Sequence, residues 1–596
     1  MKLKYSYKFI VPCAALLIGL TSCTDFLTES NENSRLTPEV EWSSPKSAEG
    51  VLLAVYNNLP SDYTAKDDWA TDDMVTNVLT DATVLMGTGG WTSTQNPLSN
   101  YSDMYKNFTQ LNDFLAHVDN VKWTLQTDTK GDTLNAMYVK RLKGEGYGLR
   151  AYCGSQLLKM VGGIDASGNL LGYPIVTTVV KTIPNGQLPR NTYSECVKQI
   201  FADCDSAYTN LPLIYADADL SANQKRVLGV QFANRINGKT VKLIKSNVAL
   251  IAASPAFLGN NSDSKVRESL WTEAAKYAAD VMILNNGLYK LNKIDPQFYL
   301  QVDLTYLNSY TECFWYTSNS KTSSTRESNN FPPTLLGKGQ INPSQNLVDC
   351  FPDKNGFPIT SPKTKTVYNA ATPYLNRDPR LTMYIYYDGA KTTGTVTTIR
   401  TAKGTTLDAK DSTKTSTRTS YYMRKLMNEG TLSALATAKL TSVAHTYVYA
   451  RYTTALLNFA EAANEVGGPD LAIGGFTARQ VIDAIRSRAD IVSKAYTASL
   501  TTQGDFRTLI HNERRIELCF EGYRFWDLRR WVNGVTDAVG LSKLNEPVAG
   551  VSIDNTGTIF TPVPNLEVRS FQPYMIYAPI PYSETLKYNI IQNQGW

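Results

Sequence analysis

Apolar side chains recur with helical spacing in both halves of the 596-residue chain, and this periodicity restricts the fold more than any other feature. Residues three or four positions apart lie on one face of a helix. One apolar stripe runs from Trp271 to Met282 and another from Tyr452 to Ala463. Turn-rich stretches separate such segments into pairs, which predicts a mainly α fold of stacked helical hairpins of the tetratricopeptide-like type. Further predicted helices cover residues 46–59, 103–118, 135–161, 192–209, 240–257, 477–490 and 507–532.

The middle of the chain differs from both ends. Residues 291–440 are rich in Tyr, Asn, Pro and Thr and have few helical stripes, which predicts an irregular, loop-rich and partly β insertion. Within it, the Thr- and Lys-rich residues 391–420 predict an exposed hairpin or long loop. We therefore expect an N-terminal helical part, 43–290, and a C-terminal helical part, 441–596, that pack into one body around this insertion. Loops held by a rigid scaffold often carry function, so a binding surface is expected there.

The N-terminus has the three parts of a secretory signal. Three lysines among the first eight residues precede an uncharged stretch, Phe9 to Leu20, and small residues then lead to Cys23. The stretch is too short to span a bilayer, which takes roughly 20 apolar residues. The ending Leu20-Thr21-Ser22-Cys23 resembles a bacterial lipobox, which predicts that residues 1–22 are removed and that Cys23 is acylated. The alternative is an ordinary cleaved signal with an incidental cysteine.

If Cys23 is acylated, its lipids are the only contact with the membrane, and the polar residues 23–42 form a tether. The net charge of the full chain is +5, and three of these charges belong to the signal lysines. The remaining charge, about +2, does not indicate nucleic-acid binding.

Motifs for catalysis are missing from the sequence. The chain has three histidines, and His511-Asn512-Glu513 lacks the second histidine of a zinc protease. Phosphate loops, nucleophile elbows and cysteine patterns with zinc spacing are also missing, so we predict no cofactor, no metal and no enzymatic activity. A glycosidase needs only two carboxylates at a set separation in space, so a secreted glycoside hydrolase stays open as an alternative.

A family resemblance rests first on the segment Asn512 to Trp531, which reads NERRIELCFEGYRFWDLRRW. This segment is similar to the C-terminal signature of the SusD/RagB family. Other similar motifs follow in family order: Glu145 with Arg150-Ala151-Tyr152, Tyr173-Pro174-Ile175, Pro189-Arg190, Asn346 to Phe351, Asn376 to Leu381, Arg451 to Ala462, Ile485 to Ala489, and the ending Gln592 to Trp596.

The resemblance implies an α-helical lipoprotein of the outer membrane that is exposed at the cell surface. It implies a SusC-like TonB-dependent transporter as partner, which the protein closes like a lid. The expected function is non-catalytic capture of nutrient oligomers, above all oligo- or polysaccharides. A peptide-binding component of a RagAB-like uptake complex shares this scaffold, so the sequence does not separate a glycan ligand from a peptide ligand.

Aromatic residues in polar, non-periodic surroundings are the candidate ligand contacts, because flat amphipathic rings suit the faces of sugars. Trp69, Trp91 and Trp315 are predicted to form a solvent-facing platform, whereas Trp526 and Trp531 are assigned to the C-terminal fold motif. Polar partners for sugar hydroxyls are expected nearby. The complete set of predicted ligand-binding residues is Trp69, Asp72, Trp91, Asn96, Tyr306, Tyr310, Trp315, Tyr316 and Arg326.

Overall fold

The computed structural model describes residues 42–64, 66–98, 100–125, 129–180, 187–259, 263–288, 312–317, 322–393 and 397–596. Helices dominate these ranges, which confirms the predicted mainly α fold class. In chain order they are α1 Pro45–Asn57, α2 Ala82–Gly87, α3 Tyr101–His117, α4 Thr129–Val161, α5 Tyr193–Asn210, α6 Ala222–Leu228, α7 Gly238–Ala253, α8 Ser264–Leu284, α9 Thr325–Asn330, α10 Gln345–Cys350, α11 Pro379–Tyr384, α12 Tyr452–Gly467, α13 Ala478–Arg488, α14 Ala495–Ser499, α15 Gln503–Glu517, α16 Arg524–Arg530, α17 Ala538–Leu544 and α18 Tyr582–Tyr588.

Three helices begin at residues that form a complete capping box. Thr192, Ser221 and Thr477 each accept a hydrogen bond from a backbone N–H of the first turn, in a reciprocal capping box with Glu195, Gln224 and Gln480. A side-chain oxygen at this position satisfies a backbone donor that has no partner within the helix. The caps at Thr192 and Thr477 explain why these two predicted helices begin within one residue of the observed ones.

Successive long helices pack against one another and form a continuous stack. Helix α1 contacts α3, α3 contacts α4, α4 contacts α5, α5 contacts α7, α7 contacts α8, and α8 contacts α12. Glycines allow the close approach of α4 to its neighbours. A Cβ at Gly144 would lie 2.8 Å from Leu211 Cγ, and one at Gly146 would lie 2.9 Å from Leu115 Cδ2. The buried faces of these helices form one large hydrophobic core.

Short antiparallel strand pairs connect the helical body to the middle of the chain. Each sheet among the described residues has two strands. The strands are β1 Met74–Val75, β2 Gly163–Ile164, β3 Leu170–Leu171, β4 Cys313–Tyr316, β5 Thr322–Ser323, β6 Asn342–Pro343, β7 Ile385–Tyr386, β8 Tyr422–Met423, β9 Val443–Ala444, β10 Val448–Arg451, β11 Val548–Ile553 and β12 Phe560–Glu567. Strand β1 pairs with β6, β4 with β10, and β11 with β12. The first two pairings join segments that are far apart in sequence, whereas β11 and β12 form a local hairpin.

The predicted helix 507–532 is two helices. The chain leaves the helix after Glu517, and Phe520 and Gly522 adopt positive φ values of 66° and 77°. A left-handed residue ends a helix, and glycine adopts this conformation without steric cost. The turn reverses the chain so that α16 packs beside α15 instead of continuing it.

The Thr- and Lys-rich segment 391–420 is not an exposed loop throughout: residues 411–414 are exposed as predicted, but the prediction is wrong for residues 416–420. Thr417, Thr419 and Ser420 are fully buried. The backbone N–H of Val551 donates to the carbonyl of Thr419, and the Ser420 hydroxyl donates to the carbonyl of Val551. Small hydroxyl side chains are buried here because they bond to one another and to the backbone of β11.

The six cysteines after Cys23 are all unpaired, as expected, and Cys196 and Cys204 both lie on α5. Within the described residues, no helix combines the length and apolar character needed to span a bilayer. Cys23 lies outside the described residues, so its acylation stays a prediction.

Candidate ligand-binding cleft

A cleft opens where α4, the strand β10 and the turn between α15 and α16 meet. It consists of two joined cavities of about 160 and 350 Å³. Their common wall residues, which we call the cleft residues, are Tyr63, Tyr152, Gln156, Lys159, Tyr447, Glu521, Gly522 and Trp526. This combination of aromatic rings with a few convergent polar groups is typical of ligand sites.

The sequence spacing of the cleft-lining residues on α4 and at β10 explains why their side chains face the cleft. Tyr152, Gln156 and Lys159 follow each other at intervals of four and three residues, which puts them on one face of α4. Tyr447 and Tyr449 are half-buried and alternate with the buried Val448. This alternation is that of an extended chain with one face toward the core.

The tyrosines form a connected layer of rings. The ring centroids of Tyr63 and Tyr447 are 4.5 Å apart, and those of Tyr447 and Tyr449 are 5.0 Å apart. Behind this layer, the Trp315 ring lies 4.3 Å from Tyr449 and 5.2 Å from Tyr152. Burial raises the pKa of Tyr63, Tyr152 and Tyr447, so their hydroxyls stay protonated over the physiological range.

The turn after α15 places Glu521 in the cleft wall. On its inner side, Glu521 forms ion pairs with Lys425 and Arg451. Lys425 Nζ lies 2.7 Å and Arg451 Nη2 2.8 Å from Glu521 Oε1. Burial alone would raise the pKa of Glu521, but Arg451 and Lys425 hold it below its ordinary value. Glu521 is therefore ionised at neutral pH and acts as a hydrogen-bond acceptor.

Trp526 forms the opposite wall, between a carboxylate and an ammonium group. Its indole Nε1 donates to Asp67 Oδ2 at 3.3 Å, and Lys159 Nζ lies 5.3 Å from the ring centroid. Burial lowers the pKa of Lys159, while Asp67 and Asp527 oppose this effect. A half-buried ring with an acceptor at its edge and an ammonium group over one face provides both stacking and hydrogen bonds for a ligand.

The predicted solvent-facing platform of three tryptophans does not exist. Trp69, Trp91 and Trp315 are 3 %, 2 % and 1 % exposed. Trp91 Nε1 donates to Asn96 Oδ1 at 3.2 Å, and the Trp91 ring lies 4.8 Å from that of Trp596. These rings are buried because they pack against segments hundreds of residues away, although their local sequence is polar. Trp315 contributes to the cleft wall from behind the tyrosine layer.

The polar residues that were predicted to bind sugar hydroxyls contact other residues of the protein instead. Asp72 accepts from Arg524 Nε and Nη2, both at 2.9 Å, and forms an ion pair with Arg515. Asn96 donates to the carbonyl of Pro579 at 3.2 Å. Arg326 is 3 % exposed and bonds to Asp62 at the rim of the cleft. Its position indicates that it holds Asp62 in place.

Three further residues of the predicted ligand-binding set lie either outside the cleft or outside the described residues. Tyr316 is 2 % exposed and lies in β4, so it is not available on the surface. Tyr306 and Tyr310 lie outside the described residues. The sequence prediction missed Tyr447, Tyr449, Lys159 and Trp526. The alternation in Tyr447-Val448-Tyr449-Ala450 was the signal that indicated a half-exposed aromatic edge.

Two protein-family models match this sequence. Residues 305–596 match the model of the SusD family, and residues 25–233 match a model described as "Starch-binding associating with outer membrane". The chain belongs to the SusD/RagB family. No curated protein matches its sequence.

Solved structures with a similar fold cover more than nine-tenths of this chain. A SusD-like protein from Bacteroides fragilis is 20% identical, with a TM-score of 0.70 over 94% of this chain and 99% of that one. A SusD-like carbohydrate-binding protein from the same species is 19% identical, with a TM-score of 0.65 over 92% and 99%. A surface glycan-binding protein A from Bacteroides fluxus is 17% identical, with a TM-score of 0.57 over 93% and 100%. At these identities the likeness concerns the fold.

Proposed function

We propose that this chain is a non-catalytic lipoprotein that captures oligosaccharides at the cell surface and delivers them to a SusC-like TonB-dependent transporter. The observation that carries the proposal is the cleft, in which half-buried rings of Tyr447, Tyr449 and Trp526 stand beside Lys159, Glu521 and Asp67. Sugar rings present C–H patches bordered by hydroxyls, so they need flat apolar surfaces with donors and acceptors at the edges.

Family membership supports the same ligand class. Two of the structural relatives carry names that describe carbohydrate or glycan binding. One family model is described by starch binding and association with the outer membrane. A peptide ligand, as in a RagAB-like complex, is the alternative that the first experiment addresses.

The test is a binding screen with the purified mature protein against matched panels of oligosaccharides and peptides. We expect saturable binding to at least one glycan, no saturable binding to the peptides, and no change in glycan length after prolonged incubation. Binding to peptides alone would favour the RagAB-like alternative. Sustained product release that a single carboxylate substitution abolishes would place the chain among the hydrolases.

We also expect Cys23→Ala to remove the protein from the membrane fraction. The lipobox-like ending of the signal predicts acylation at this cysteine, and several acyl chains are needed for stable anchoring. Fractionation and mass spectrometry of the mature N-terminus provide the measurement, with Cys13→Ala in the signal as the matched control. An unacylated wild-type protein would contradict the lipoprotein assignment.

A further inference from the structure

A small cavity lies next to the cleft, between α4, α16 and the C-terminal segment. Its volume is about 20 Å³, which is room for one particle slightly larger than a water molecule. The cations Lys159, Arg529 and Arg530 are part of its wall, and none of the described wall residues is a carboxylate. The remaining wall is apolar or backbone, with Ile251, Phe257 and Trp526 among its residues.

Arg529 is buried, and the residues that the structure describes give it no counter-ion. It is 2 % exposed, and within the described part of the chain it makes no ion pair. Its Nε donates to the carbonyl of Met575 and its Nη1 to that of Phe525, both at 3.1 Å, whereas Nη2 has no hydrogen-bond partner. The guanidinium carbon lies 3.4 Å from the centroid of Phe525 and 4.5 Å from that of Phe571.

The other two cations differ in their pairing. Arg530 is fully paired, because it contacts Glu461 through both Nη atoms at 2.6 and 2.7 Å and Asp527 through Nε at 2.7 Å. Lys159 makes no hydrogen bond or ion pair among the described residues, although Asp67 and Asp527 attract it from a greater distance. Arg529 and Lys159 therefore both line the cavity and have no direct acidic partner in the described part of the chain.

A buried charge without a partner is costly, so such sites are normally paired with an opposite charge. Burial lowers the pKa of Arg529 well below its ordinary value, and no acid opposes this effect. Two cations beside an acid-free cavity create a positive potential that a small anion would neutralise. A monatomic halide needs the least space of the common anions, so it is the occupant that this small cavity favours.

We infer that this cavity binds a chloride ion between Arg529 Nη2 and Lys159 Nζ. The ion satisfies the free guanidinium nitrogen and fixes α16 against α4. It thereby supports the position of Trp526 and Lys159, which also line the cleft. The inference does not depend on the identity of the cleft ligand.

The direct test is a crystal structure of the wild-type protein grown in sodium bromide, with data collected at the bromine absorption edge. We expect an anomalous peak in the cavity within contact distance of Arg529 Nη2. A cavity that holds density without an anomalous signal contains water and overturns the inference, as does an empty one.

A solution measurement tests the same site without crystals. Each tenfold rise in chloride above its Kd should raise Tm by about 1 °C relative to gluconate at equal ionic strength, given roughly 2 cal/mol/K of unfolding entropy per residue. Arg529→Gln and Lys159→Met should both lose this dependence, and Lys159 is only half-buried, so the second variant tests the site if the first does not fold. Lys239→Met, at a lysine that bonds to Asn285 elsewhere, should keep it. An equal chloride response in Lys159→Met and the wild type would contradict the site.

Discussion

Glu517→Gln lowers the free energy of unfolding by about 3–5 kcal/mol at pH 7, because it leaves a cluster of buried arginines without their shared counter-charge. Arg488 Nη2 lies 2.8 Å and Arg451 Nη1 3.2 Å from Glu517 Oε1, and Arg380 Nη1 lies 3.1 Å from Oε2. These arginines come from α13, β10 and α11, so one carboxylate holds three separate segments against α15. Urea denaturation of the variant and the wild type measures the difference.

The same interaction should depend on pH. Burial would raise the pKa of Glu517, but Arg488, Arg451 and Arg380 lower it from its ordinary value of 4.5 to about 2. A depressed pKa means that the stabilisation is fully present above about pH 4.5 and is lost as the pH falls toward 2. The gap between wild type and Glu517→Gln should therefore shrink between pH 4.5 and pH 2.

The control for this prediction is Glu546→Gln, which breaks an exposed pair with Lys543. Exposed ion pairs contribute at most about 1 kcal/mol, so this variant should unfold almost like the wild type. An equally small effect of Glu517→Gln would show that the arginine cluster does not need its central carboxylate.

Trp526→Ala weakens glycan binding about thirtyfold or more. A tryptophan that anchors a ligand typically contributes 2 kcal/mol or more, and 1.4 kcal/mol corresponds to a factor of ten in affinity. The variant also removes the donor to Asp67 and the ring beside Lys159. Calorimetric titration with the glycan found in the screen measures the effect.

Trp531→Ala is the matched control for Trp526→Ala. Trp531 is half-buried directly after α16, but it lines a separate groove, stacks on His511 and donates to Glu461 Oε1 at 2.8 Å. We expect it to lose stability while its glycan affinity stays near that of the wild type. Equal losses of affinity in both variants would place part of the binding surface outside the cleft.

The helical body could be predicted from sequence because its signals are local. The stripe from Trp271 to Met282 lies on α8 with its members buried, and the caps at Thr192 and Thr477 mark helix starts. Apolar spacing continues across the turn in the segment 507–532, so periodicity alone did not show it, and Gly522 is its local sequence signal. The positive φ of Phe520, a bulky residue, has no local sequence signal.

The site could not be predicted in the same way, because its burial depends on contacts between distant segments. Trp91 follows a turn at Gly89-Gly90 and looks exposed, yet its ring packs on the last residue, Trp596. Asp72 lies in an acidic loop, but its partners Arg515 and Arg524 belong to the C-terminal motif. Conversely, Trp526 was assigned to the fold motif although it lines the cleft. Polar neighbours in sequence were a poor guide to exposure.

The central claim is that the cleft binds a glycan by ring stacking and does not cleave it. A crystal structure of the wild-type protein with the glycan from the screen tests this most directly. The account predicts an intact glycan with a sugar ring against Trp526 or Tyr447 and hydroxyls within hydrogen-bond distance of Lys159, Asp67 or Glu521. A glycan bound only outside the cleft, or one found shortened, would contradict it.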